Sequence, residues 1–137
     1  MSTNSVDLPA ATKDAIRKFR FKRFKGDAAL VVKIDKKSLT MVVDEQLEGS
    51  LEEIAEELPE NAPRYVILSH PLTTKDGRLT VPLVLINWAP SSSPTELMML
   101  HTSGLPVFQQ AAECARVIEM REGAEDFTEE FINAKLQ

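Results

Sequence analysis

The side chains that most often carry catalysis or bind metals are few and widely separated in this chain. His70 and His101 are the two histidines and Cys114 is the single cysteine, so a zinc site would need carboxylates that no spacing motif supplies. Cys114 lies in an apolar run near a predicted helix end, where a buried structural thiol is expected. The sequence therefore predicts neither a metal site nor a nucleophilic cysteine.

The sequence also gives no support for nucleotide binding or for glycoside hydrolysis. The glycines are too scattered for a dinucleotide fingerprint or a phosphate-binding loop, at Gly26, Gly49, Gly77, Gly104 and Gly123. Acidic side chains do cluster, but neighbours on one short helix spread over its exposed side, at Glu52, Glu53, Glu56 and Glu57. Glycoside hydrolysis needs two carboxylates held across a cleft, and no such pair is indicated.

Length and composition set the frame for any site. The 137 residues are 43% hydrophobic and 27% charged, which predicts one domain over residues 1–137 with a single core. One cysteine permits no internal disulfide, so a reducing compartment is expected. The chain starts without a basic region and apolar run, and no stretch approaches the roughly 20 apolar residues of a membrane helix. We expect no signal peptide and no membrane insertion.

Charge is unevenly distributed along the chain. Residues 13–25 carry seven basic side chains and one acid, whereas residues 44–60 carry eight acids and no base, within a net charge of −5. Two solvated faces would explain this, and so would poles that orient a docking partner. A nucleic-acid surface over the Phe-interleaved segment 19–24 is a further alternative, but the net charge is negative and Phe19 belongs to a helical apolar stripe. We predict no nucleic-acid partner.

Hydrophobic periodicity predicts the elements that would position a site. Their order is αββαββαβα, with helices starting at residues 7–9, 50, 95 and 126, and strands over 28–34, 39–43, 64–69, 78–88 and 116–120. Ser50 and Glu53 have capping-box spacing. The apolar run Leu83 to Ile86 does not alternate, which indicates an α/β sheet with helices on both faces.

The third helix, from Thr95 to about Ala112, is more apolar than one buried face requires. Leu97 to Leu100 span a full turn, so at least one of these side chains should face solvent or a partner. Methionine suits an adaptable docking surface. Gly104 and Pro106 disfavour a straight helix and predict a kink or a break.

Several segments, in order along nearly the whole chain, carry a family resemblance. They are Arg17 to Phe21, Lys33 to Lys36, Asp44 to Gly49, Glu57 to Glu60, Pro63-Arg64, Asp76 to Arg78, Pro82-Leu83, Pro94 with Met98-Met99, and Glu125 to Glu130. In these segments the chain resembles the glia maturation factor family, within the actin-depolymerising-factor homology (ADF-H) fold shared with cofilin. Trp88-Ala-Pro90 resembles the Trp-x-Pro segment that precedes the long helix of that fold.

The resemblance implies an α+β fold, a five-stranded mixed sheet between helices, with no enzymatic activity, no catalytic residues and no cofactor. It also implies binding to the actin-related protein 2/3 complex at the barbed-end cleft of actin-related protein 2. Inhibited branched nucleation and debranching of daughter filaments would follow, at cortical actin sites in the cytoplasm and also in the nucleus. The alternative is a cofilin-like binder of actin monomers and filaments that severs them. A monomer is the expected state.

Two partner-binding sites follow from the same resemblance. In the first, the N-terminal segment Ser2 to Val6 and the third helix enter the cleft beside positive charge, through Met98, Met99 and Thr102 with Arg17, Lys18, Arg20 and Lys22. The second would touch another subunit or the first daughter actin, through Asp76, Arg78, Glu125, Asp126 and Glu129.

Two departures from the family pattern affect the first site. Cofilins place a basic residue immediately before the methionine that corresponds to Met98, whereas this chain has Glu96 and Leu97 there, which favours the glia maturation factor branch. Relatives also carry a Ser-Lys-Asn-Lys-like stretch in place of Ser103 to Pro106 and a tyrosine in place of Leu100.

Overall fold

A computed structural model describes residues 6–114 and 116–136 of the chain. Its elements are α1 (Ala10–Phe21), β1 (Asp27–Asp35), β2 (Thr40–Gly49), α2 (Leu51–Glu56), β3 (Arg64–Ser69), β4 (Leu72–Thr73), β5 (Leu79–Thr80), β6 (Leu83–Trp88), α3 (Thr95–Ala112), β7 (Arg116–Met120), a 3-10 turn (Gly123–Asp126) and α4 (Glu129–Leu136). The predicted order is confirmed, except that the predicted strand 78–88 forms two strands, β5 and β6, and that β4 and the 3-10 turn are additions.

The main sheet has five strands in the order β2-β1-β3-β6-β7. Its neighbours are antiparallel except β6 and β7, which run parallel because α3 crosses over between them. The sheet is therefore mixed, as the resemblance implied. β4 and β5 form a separate two-stranded ribbon.

Alternation along the strands divides the core between the two faces of the sheet. Ala28, Leu30 and Val32 of β1 pack with α1 and α3, on what we call the α1–α3 face. Ala29 and Val31 pack with α2 and α4, on the α2–α4 face. Helices covering both faces were predicted correctly, and so was burial of the run in β6 from Val84 to Ile86, whereas Leu83 is partly buried.

Two strand predictions need correction. β2 continues to Gly49, beyond the predicted end at Val43, because pairing with β1 continues to the Asp27–Gly49 pair. The second half of β2 is acidic, so its composition did not indicate a strand. The predicted strand 78–88 is divided into β5 and β6 on either side of Pro82, which has no N–H for a ladder. The Pro82 carbonyl instead accepts a hydrogen bond from the His70 N–H at 3.2 Å.

The helix starts show one confirmed prediction and one error. At α2 the Ser50 hydroxyl accepts from the Glu53 N–H at 3.1 Å and the Glu53 carboxylate accepts from the Ser50 N–H at 3.0 Å, so the capping box forms. The last helix was predicted to open at Asp126, but Asp126 ends the 3-10 turn. Thr128 caps α4 instead, because its hydroxyl accepts from the Phe131 N–H at 3.1 Å.

Of the kink or break predicted at Gly104 and Pro106, the break is wrong, because α3 runs unbroken through both residues. A Cβ at Gly104 would lie 2.7 Å from both Met41 Cε and Tyr65 Oη. Glycine is thus present because the helix backbone lies against the sheet. Pro106 sits on the exposed side of the helix.

Candidate functional site

The outer surface of α3 presents methionines to solvent over its first turns. Met99 is 62% exposed and Met98 is half-buried, which confirms that part of the apolar quartet faces outward. With Thr102 they line a groove of about 530 Å³, whose other lining residues are Ser91, Ser93, Thr95, Ser103 and Arg121. The groove has an adaptable apolar floor and a cationic edge.

The inner surface of α3 is held by an aromatic stack. Tyr65 of β3 lies between His101 and Phe108, with ring centroids 4.1 Å and 4.7 Å apart, and its hydroxyl donates to the His101 carbonyl at 2.6 Å. His101 Nε2 lies 2.6 Å from Asn87 Oδ1. Burial, aided by the charge of Arg64, lowers the pKa of His101 to about 4, so the ring is neutral near pH 7. These contacts fix the groove-bearing helix to the sheet.

Three basic side chains of α1, those of Lys13, Arg17 and Arg20, line a second cleft, between α1 and the C-terminal half of α3. Arg17 and Arg20 border this cleft of about 470 Å³, and the α3 side contributes Val107, Gln110 and Ala111 before Glu113. Arg20 Nη1 lies 3.0 Å from Glu113 Oε2. Positive charge on α1 therefore lies against α3, but against its C-terminal half, away from Met98 and Met99.

The predicted first site is accordingly spread along α3. Met98, Met99 and Thr102 share one groove, whereas Arg17 and Arg20 line the other. Met98 and Gln110 are roughly 18 Å apart along the helix axis at 1.5 Å per residue.

The remaining members of the first site lie on the outside of α1, directly after its end, or at the N-terminus. Lys18 pairs with Asp14 at 3.1 Å, and Lys22 lies over the Phe24 ring at 5.6 Å. Within the predicted N-terminal segment, residues 2–5 fall outside the described residues. Val6 is buried in the α1–α3 core.

The predicted second site also divides into parts. Asp76 and Arg78 pair at 3.6 Å in the β4–β5 turn, and the Thr74 hydroxyl donates to the Asp76 carboxylate, which lowers its pKa. Glu125 lines a different groove with Arg121, and Asp126 ends the 3-10 turn. Glu129 opens α4 beside the base of the ribbon.

A buried polar junction joins the base of the ribbon to α4. His70 is 2% exposed, and its Nδ1 lies 2.5 Å from Asp27 Oδ1 while its Nε2 lies 2.7 Å from Asn133 Oδ1. The bond to Asp27 is the main cause that raises the pKa of His70, against the opposing effect of burial. Sequence reasoning missed this junction, because its three partners come from distant parts of the chain.

Sequence reasoning also missed residues that complete the α3 surfaces. Arg121, which pairs with Glu119 at 3.4 Å, edges the methionine groove from the end of β7. Its position directly after a predicted strand was the available signal. Ser91 and Ser93 follow Trp88-Ala-Pro90, in the loop that leads into α3. Val107, 45% exposed, lies one turn beyond Ser103 and had no distinguishing signal.

The environment of Cys114 and the spacing of the histidine and carboxylate side chains are typical of structural roles. Burial raises the pKa of Cys114 to about 11, so the group is a thiol near pH 7 and a poor nucleophile. Over residues 6–114 and 116–136 no three His, Cys, Asp or Glu side chains converge as metal ligands. None of the helices in this part of the chain has the length and apolar character that a membrane crossing requires.

Comparison with known proteins identifies similar sequences. The family model described as cofilin/tropomyosin-type actin-binding protein matches residues 5–137. The chain is 39% identical over 131 residues to glia maturation factor beta from Homo sapiens, covering 95% of this chain and 92% of that protein. It is 34% identical over 139 residues to glia maturation factor from Drosophila melanogaster, covering 100% of each.

A solved structure shows the same fold. The solution structure of glia maturation factor from Caenorhabditis elegans matches with a TM-score of 0.82 and 29% identity, covering 98% of this chain and 99% of that one. The five-stranded mixed sheet between helices is thus shared from end to end.

Proposed function

The chain belongs to the cofilin/tropomyosin-type actin-binding family and, within it, to the glia maturation factors, and from this premise we propose its function. The protein is a non-enzymatic regulator of the actin cytoskeleton. It binds the actin-related protein 2/3 complex, inhibits nucleation of branches and promotes release of daughter filaments. It acts in the cytoplasm at cortical actin sites and also enters the nucleus.

The similarity to glia maturation factors along the full chain is the observation that carries this proposal. The α3 surface supports it. Glu96 and Leu97 stand directly before Met98, and Lys36 Nζ lies 3.3 Å from Glu96 Oε2. The position where cofilins carry a basic residue is therefore apolar, and the carboxylate beside it is paired with Lys36, which favours an actin-related subunit over actin itself.

Each predicted surface has a role in this proposal. Met98, Met99 and Thr102 enter the barbed-end cleft of actin-related protein 2, because an apolar helix face with flexible thioethers suits a groove. The basic side chains of α1 orient the approach, by steering more than by adding affinity. The ribbon pair Asp76 and Arg78, with Glu125, Asp126 and Glu129, contacts the first actin of the daughter filament. The protein acts as a monomer.

Branched filaments under a microscope provide the main test. Added protein should speed the loss of branches while unbranched filaments stay intact. Met99→Ala should weaken retention on the purified complex about tenfold, because an exposed thioether that enters a partner cleft loses its apolar contacts. The free energy of unfolding of the Met99→Ala variant should differ from that of the wild type by no more than about 0.5 kcal/mol, as for other exposed positions.

Val117→Ala on β7 is the matched control, since Val117 is 40% exposed and lies outside the methionine groove. It should keep the affinity of the wild type. No retention of the wild-type protein at micromolar concentration would contradict the proposal.

A cofilin-like activity is the second candidate, favoured by the description of the family model as actin-binding. Co-sedimentation with filaments discriminates between the two. Clear binding along filament sides, or severing of unbranched filaments, would move the protein to the cofilin class and reverse the interpretation of Glu96 and Leu97.

A further inference from the structure

The cleft between α1 and the C-terminal half of α3 has an excess of positive charge. Its lining includes three cationic side chains and one carboxylate, those of Lys13, Arg17, Arg20 and Glu113. Val107 adds an apolar patch, 45% exposed, on the same wall. This combination is complementary to an acidic segment that carries an aliphatic side chain.

Arg20 is the least exposed cation of this cleft, and its hydrogen bonding is incomplete. Its side chain is 28% exposed and Nη1 lies 3.0 Å from Glu113 Oε2. Nε is buried, and no other described residue offers it a hydrogen bond. A guanidinium carries several N–H donors in one plane, and a carboxylate pairs with it best by accepting two parallel hydrogen bonds. Glu113 accepts one hydrogen bond from Arg20, from Nη1.

Glu113 holds this contact from an unusual backbone conformation. It ends α3 at φ 49° and ψ 41°, in the left-handed region, where its N–H donates to the Gln109 carbonyl at 3.2 Å. Glycine is the residue that such a helix end favours, because a Cβ there is crowded. A residue that departs from this preference and also pairs across a cleft points to a role beyond ending the helix.

We propose that Glu113 is an internal counter-ion for Arg20, occupying the place of a carboxylate on the partner. The cleft then binds an acidic segment of the actin-related subunit, with an aliphatic side chain of that segment against Val107. Because the arriving carboxylate must displace Glu113, the internal pair lowers affinity and rejects segments without negative charge. This inference rests on the proposed function and extends the first site along α3.

Affinity for the purified actin-related protein 2/3 complex tests this proposal. Glu113→Gln removes the competing charge, and it should tighten binding roughly threefold to tenfold at low salt, with a smaller gain at high salt. Glu56→Gln is the matched control, because it makes the same change in net charge from an exposed position on α2, outside both proposed sites. It should bind as the wild type does.

A double-mutant cycle isolates the pair. In an Arg20→Ala background the gain from Glu113→Gln should disappear, since no guanidinium remains to be released. Thermal unfolding confirms that each variant is folded. Equal affinities of Glu113→Gln and Glu56→Gln would overturn this inference alone, whereas absence of binding by the wild type would overturn the proposed function together with it.

Discussion

The two faces of the sheet hold their helices by different means. On the α1–α3 face, α3 is fixed by the Tyr65 stack, a neutral buried His101 and a glycine that lets the helix backbone approach the sheet. On the α2–α4 face, α4 packs through Ile132, with Phe127 just before the helix in the same core, but meets the ribbon through the His70 junction. The first proposed surface, on α3, is thus supported by a packed core without charged groups. The second, at the ribbon and the start of α4, depends in part on the titratable side chain of His70.

Acid should destabilise the protein through the α1–α3 face. The pKa of His101 is about 4 in the folded chain and near 6.5 in the unfolded chain. Between these values the unfolded chain binds the extra proton, so the free energy of unfolding should fall as pH is lowered, by about 3 kcal/mol over the window. Urea unfolding of the wild type and His101→Gln at several pH values measures this. A slope unchanged by the substitution would show that His101 does not titrate in this way.

Overpacking under α3 should be the next largest effect. Gly104→Ala places a methyl group 2.7 Å from Tyr65 Oη, which its bond to the His101 carbonyl holds in place. We expect a loss of about 2 kcal/mol in unfolding free energy, as for other overpacked sites.

Gly26→Ala is the control for this substitution, because its Cβ would meet nothing within 4 Å. It should stay within about 0.5 kcal/mol of the wild type. Equal stabilities of the two variants would remove the close approach as the reason for glycine at position 104.

On the α2–α4 face, Asn133→Ala should have a smaller effect. The substitution leaves buried His70 Nε2 without its partner 2.7 Å away, which costs about 1 kcal/mol for an unsatisfied donor. Hydrogen exchange should show faster opening of α4 with little change in α3. Asn61→Ala, at an exposed loop position, controls for removal of an amide. Uniform acceleration across both helices would contradict the separation of the two faces.

The smallest expected effect, that of His70, depends on pH in the opposite direction, because its contribution to stability is lost as pH rises. The raised pKa of His70 means that its stabilisation is fully present below about pH 6.5, the unfolded value, and is lost as pH rises through the folded value. Asp27 and Glu129 are the carboxylates that favour its charged form. His70→Gln should flatten the stability profile above pH 6.5 and leave the acid side unchanged. A profile with the same alkaline slope would remove His70 as its source.

What the sequence predicted well was local or periodic. The capping box at Ser50, the extent of α3 and the outward-facing methionine depend on neighbours within a few residues, which spacing reveals. The resemblance supplied the mixed sheet. Gly104 was misread as a helix breaker because its reason is contact with Met41 and Tyr65 on other elements.

The candidate sites show the same limit. Sequence reasoning placed charge on α1 and methionines on α3, but it could not show that Arg20 lies against Glu113, 93 positions away. The His70 junction likewise joins residues from β1, the start of the ribbon and α4. Pairings of this kind arise from topology, which single-chain periodicity does not encode.

The acidic outer half of β2 also bears on self-association. β2 lies at one edge of the sheet, and residues 6 and 7 meet only its beginning, where the Asp7 carbonyl accepts from the Met41 N–H at 2.9 Å. Glu45 and Glu48 follow along the strand, whereas the charge of Asp44 is paired with Lys33 and Arg64. A second copy approaching this edge would bring like charges together, so the acids guard against strand addition and fibril growth at high local concentration.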